Sequence, residues 1–183
     1  RKSAHDSVVV EGANGQLKIT DIRFIVEEIE LGREDDSLNA DGDSLDFNTS
    51  PSFLDLPLDT TEVASADSLN APAGTYSEFE FEVDDLEPDT DDTDQEREQI
   101  QELLGQIREE FSDFPADASM VAVGTFTPSD ADSSNGGPSD FTTYIEAEIE
   151  VERDFPEQNP LEVTSDGFSR SLTVKLDPSG WFT

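Results

Sequence analysis

The stretch FTTYIEAEIEVERDF, Phe141–Phe155, sets Ile145, Ala147, Ile149 and Val151 against Glu146, Glu148, Glu150, Glu152 and Asp154. Alternation with period two puts these sets on opposite faces of a β-strand, one toward a core and one toward water. Same-face neighbours along a strand stand about 7 Å apart, so a row of carboxylates repels itself. The Debye length is about 10 Å at 0.1 M salt and about 3 Å at 1 M, so the row is tolerable in brine or where cations bind it. The pattern returns in EFEFEV, where Phe79, Phe81 and Val83 alternate with Glu78, Glu80 and Glu82. It is a general property of the chain, and it makes the fold mainly β.

Composition carries the same message. The 183 residues hold 45 acidic and 10 basic side chains, a formal charge of -35. Only Lys2, Lys18 and Lys175 are lysine. A folded surface adapted to high salt explains both features, because short hydrated carboxylates replace the long lysine stem. The alternating strands argue against disorder, the other state that such charge favours. Binding to phosphates depends on Lys and Arg displacing counterions, so neither nucleic acid nor an anionic membrane is an expected partner. Cations, basic proteins and neutral polymers remain. There is no cysteine, which excludes disulfides and thiolate metal sites. No apolar run approaches the length of a transmembrane segment. The chain opens at Arg1 without methionine, which points to a processed form, exported with its signal removed, or to a fragment.

The length suits one domain spanning residues 1–183. A polar tail, residues 1–6, precedes SVVVE, a short strand ending at the turn signal GANG. LKITDIRFIVEEIEL alternates with phase slips, which predicts a long strand with bulges or a bend. An acidic loop follows over 32–52. Pro57 restricts SFLDLPL to an edge strand. An acidic linker, 84–94, leads to a helix over 94–111 with a capping box, Thr93 and Glu96. Ile100, Leu103, Leu104, Ile107 and Phe111 share one face of that helix, suited to lying on a sheet or over an open end. The remaining strands, with turns between them, fit an antiparallel β-sandwich of immunoglobulin-like type carrying one inserted amphipathic helix. Trp181 is placed to close the core.

The series GQLKITDIRFIVEEIEL, FLDLPL, PAGTYSEFEFEV, VAVGTF and DPSGWF resembles an uncharacterised family of secreted bacterial and archaeal surface domains, often lipoproteins, with an immunoglobulin-like or transthyretin-like sandwich. The resemblance covers Val8 to Phe182. It implies a cell-envelope or extracellular setting and carries no catalytic residues with it. The lipoprotein anchor cysteine of that family is missing from this sequence.

Chemistry-bearing patterns are few. In SLNADGDSLDFN, Asn39, Asp41 and Gly42 match positions three, five and six of a calcium loop. Ser37 and Asn48 stand where Asp and Glu belong, so the match is partial. Asp43 and Asp46 supply further oxygens, and Asn39, Asp41, Asp43 and Asp46 form the candidate calcium set, against an Asx-rich solvated turn. DDLEPDTDDTD packs seven carboxylates into eleven residues and reads as a solvated linker that gathers cations loosely. His5, the only histidine, lies in the polar tail, away from any nucleophile pattern. Paired carboxylates for glycoside hydrolysis carry no signal where 45 acidic residues are present.

The expectation is therefore a non-enzymatic, extracellular or cell-surface structural or adhesive module. Copies of itself or other surface proteins are its partners. Val8, Val9 and Val10 are the candidates for assembly into a filament by strand addition. The alternatives are a calcium- or carbohydrate-binding surface module and an acidic DNA mimic that occupies a basic protein.

Overall fold

The computed structural model describes residues 7–33, 47–58, 71–86, 93–129, 137–165, 173–176 and 181. Among these residues, eleven strands and one helix appear in the order β1 Val8–Gly12, β2 Gly15–Val26, β3 Glu28–Gly32, β4 Phe47–Asn48, β5 Ser52–Asp55, β6 Gly74–Tyr76, β7 Glu78–Val83, α1 Asp94–Glu110, β8 Met120–Pro128, β9 Ser139–Ile145, β10 Ile149–Asp154 and β11 Leu161–Val163. All sheet pairings among the described residues are antiparallel. A five-stranded sheet runs β1-β2-β8-β9 with β5 also on β2, a four-stranded sheet runs β10-β7-β3-β4, and β11 pairs with β6. The mainly β, antiparallel class is as the sequence indicates.

Both phase slips in LKITDIRFIVEEIEL have a structural cause. Inward positions move from Ile19 to Ile22 across an irregularity in the β2–β8 register between Ile19 and Asp21, as an extra residue in one strand requires. They move again from Val26 to Ile29 at Glu27, where the chain leaves the five-stranded sheet for the four-stranded one. Ile19, Ile22, Phe24 and Val26 of β2, with Met120 and Ala122 of β8, thereby meet Ile29, Leu31, Phe79, Phe81 and Val83 from the facing sheet. Trp181 packs against this core as expected.

The opening stretch needs a correction. It is not one strand: β9 ends at Ile145 in the five-stranded sheet, and β10 starts at Ile149 in the four-stranded one. Corners of this kind are how strands switch between packed sheets. The turning backbone is held by buried Ser119, whose hydroxyl donates to the Ala147 carbonyl at 2.6 Å and accepts from the Ala147 N–H at 2.8 Å. Ile145, Ala147, Ile149 and Val151 still border the same core, reached from two sheets.

Helix α1 begins with both bonds of the capping box, Thr93 N–H to Glu96 and Glu96 N–H to the Thr93 hydroxyl. Its apolar face covers the outer side of the five-stranded sheet. There Ile100, Leu104 and Ile107 join Ile25, Val121, Leu86, Phe114 and Ala118 in a second core. The predicted acidic linker is thus anchored at Leu86, while 87–92 lie outside the described residues. Arg23 clasps the helix to the sheet: its Nη2 donates to Glu110 at 2.7 Å, and its guanidinium lies over Phe111, 5.2 Å from the ring centroid. Its Nε stands 2.8 Å from Asp55, a contact of charge without hydrogen-bond alignment. The predicted loop over 32–52 is cut short by β4, which pairs with β3. SFLDLPL supplies β5, which among the described residues pairs with β2 alone.

Candidate cation-binding face

The four-stranded sheet turns one face to the core and the other to water. On the outer face, β10 carries Glu150, Glu152 and Asp154, β7 carries Glu82, Glu80 and Glu78, and β3 carries Glu28 and Glu30. Register sets these acids directly opposite one another: Glu150 to Glu82, Glu152 to Glu80, Asp154 to Glu78, Glu82 to Glu28, and Glu80 to Glu30. Directly opposed side chains have Cβ atoms about 4.5–5.5 Å apart, and like charges so placed destabilise the pair. Arg153 is the one basic residue in these strands, and it lies opposite inward-facing Phe79.

The fold tolerates this because of the other face. Each buried Phe or Val contributes about 1.5–3 kcal/mol. A like-charge cross-strand pair costs about 0.2–1 kcal/mol. Phe79, Phe81 and Val83 of β7 therefore outweigh the repulsion their neighbouring glutamates create.

The repulsion appears in the acidities. Glu78, Glu80 and Glu82 all titrate above the ordinary glutamate range, first because burial disfavours their charge and next because of their acidic neighbours. Glu27, at the corner between the sheets, is pushed up to about 7 by burial and then by Glu82 and Asp84. Its backbone N–H donates to the Glu82 carbonyl at 3.0 Å, which fixes its side chain beside those two acids.

Among the described residues, two groupings are compact enough to share an ion. Carboxylate oxygens of Glu27, Glu82 and Asp84 lie within 4.8 Å of one another, as do those of Glu78, Glu152 and Asp154. Oxygens on one calcium, bound at 2.3–2.6 Å, are separated by no more than about 5 Å, so both groupings have the right span. The first is half-buried and the second more exposed.

The candidate loop ligands Asn39, Asp41, Asp43 and Asp46 lie outside the described residues, as does His5. Val8, Val9 and Val10 lie in β1, paired with Ile19, Lys18 and Leu17 of their own chain through the Ala13–Asn14 turn. Alternation alone identifies the outward glutamates of β7 and β10 one by one. It does not show that Glu152 faces Glu80, nor that Glu27 meets Asp84, because those meetings depend on register and on the sheet switch. The phase slip at Glu27 is the one signal in the sequence that marks this corner.

Comparison with protein families, curated proteins and solved structures finds no match to this chain. Among the described residues, no helix is long and apolar enough to cross a membrane.

Proposed function

We propose that the chain is a non-enzymatic structural or adhesive module of an extracellular or cell-surface layer, an immunoglobulin-like sandwich working in concentrated salt. The observation that carries this reading is the outer face of the four-stranded sheet, with five directly opposed carboxylate pairs. Such a face is disfavoured in dilute solution and favoured where ions screen it. The resemblance of the strand text to secreted surface domains supports the envelope setting, and the lone histidine with no cysteine supports a non-catalytic role. Copies of the chain or other surface proteins are the proposed partners. Fractionation of the source cells at molar salt tests the setting. Recovery in the envelope or medium is expected, and recovery from the cytosol overturns it.

A second reading, calcium binding, is favoured by the span of the Glu27, Glu82 and Asp84 oxygens. Calorimetry after exhaustive chelation should then show heat on adding calcium, lost in Glu82→Gln. No heat at millimolar calcium dismisses it.

A further inference from the structure

Acid is spread very unevenly over the two large sheets. The strands of the four-stranded sheet hold eight carboxylates and one arginine. Those of the five-stranded sheet hold Glu11, Asp21, Asp55 and Asp140 against Lys18 and Arg23. The first 26 positions contain only three of the chain's 45 acidic residues but four of its ten basic ones. In a chain of charge -35, a second copy is repelled less by this sheet than by the four-stranded one.

Among the described residues, one lateral edge of that sheet is β9 and the other is β1, continued by the short β5 where β2 runs past the β1 ladder. Natural edges are defended by charge, proline, a bulge or shortness. The four-stranded sheet follows the rule: β10 carries Glu150, Glu152, Arg153 and Asp154, and β4 is two residues long. By contrast, β1 offers Val8, Val9 and Val10 with a single charge, Glu11, at its turn end, and β9 offers Phe141 through Ile145 with a single charge, Asp140, near its start; neither holds a proline. Val9, 50% exposed, is the one exposed large hydrophobic side chain among the described residues.

Polarity makes the two edges compatible. Successive antiparallel pairings β1–β2, β2–β8 and β8–β9 leave β1 and β9 running in opposite directions. A neighbour in the same orientation therefore brings its β1 beside β9 as an antiparallel partner. This contact is heterologous and leaves an edge free at each end, so it propagates. The two-residue turn to β2 keeps β1 in its own sheet, so the contact is edge pairing without strand exchange.

We propose that β1 of one copy pairs with β9 of the next, joining five-stranded sheets into an open filament. This inference rests on the proposed structural role with copies of the chain as partners, and it specifies the surfaces they use.

Sedimentation of the purified chain and of two variants in molar KCl tests it. Val9→Glu places a charge on the β1 edge and Thr142→Glu on the β9 edge, each backed by the lysine replacement, with melting followed to confirm folding. The parent should form a concentration-dependent series of oligomers. Each variant alone should associate about tenfold more weakly or less. An equimolar mixture of the two should form a dimer and stop, since each supplies the edge the other lacks. A parent that stays monomeric at every concentration overturns the proposal, and so does a folded Thr142→Glu protein that dimerises alone, which would mean β1 pairs with itself. Neither result touches the cellular setting or the salt response, which are measured separately.

Discussion

Glu27 concentrates the physics of the chain in one side chain. It sits where β2 gives way to β3, half-buried beside Glu82 and Asp84, and its carboxyl is pushed up to about 7. A carboxyl raised on folding binds more protons in the native state than in the unfolded one, so its contribution falls as pH rises. Its contribution should thus be fully present below about pH 4.5, decline from there and be lost as pH rises through about 7, the reverse of a salt-bridged acid. Glu27→Gln is expected to gain about 1 kcal/mol at pH 8 in dilute buffer, allowing for solvent screening. The gain should shrink to about a quarter at pH 5 and vanish near pH 4, as denaturant melts at the three pH values would show. Ser119 is the complementary case. Ser119→Ala leaves the Ala147 N–H and carbonyl at the β9–β10 corner without their partner, and a loss of about 2 kcal/mol is expected in the same melts.

At the scale of elements, the helix is the most legible part of the molecule. Thr93, Glu96 and the spacing of Ile100, Leu104 and Ile107 mark its start and its buried face, and all do what their positions suggest. Thr93→Ala should cost about 1 kcal/mol by removing the cap. Arg23→Met should raise amide exchange along α1 while leaving β7 protected, because the guanidinium ties Glu110 and Phe111 to β2. The strands were legible in kind but not in place. β7 alternates cleanly, and the slips in β2 and at Glu27 announce irregularity. The crossing from β9 to β10 announces nothing, because Ile145, Ala147 and Ile149 keep their period through the corner. Hydrophobic alternation records which side chains face the core. It does not record which sheet carries them.

Across the whole molecule, the same lack of register information hid the acidic grid. The outward glutamates could be read from sequence, yet their five direct oppositions emerge only when β10, β7 and β3 are laid side by side. At about 0.2–1 kcal/mol each, these pairs total about 1–5 kcal/mol, a substantial part of the roughly 5–15 kcal/mol that holds a domain together. The repulsion is screened as salt rises to molar levels, where the Debye length falls below the spacing along a strand. The five-stranded sheet, whose strands carry four acids against two bases, takes little part in that balance, which is why its edges are the ones proposed for contact between copies.

Thermal melting of the parent chain from about 0.1 M to about 2 M KCl measures this balance directly, alongside a variant with Glu78, Glu80 and Glu82 changed to Gln. At this chain length each kcal/mol moves the midpoint by about 2–4 °C, so the parent Tm should climb by about 10 °C. The variant should start higher in dilute salt and climb much less. Equal salt slopes for the two proteins, or a parent equally stable at both extremes, would contradict a sheet face built for brine.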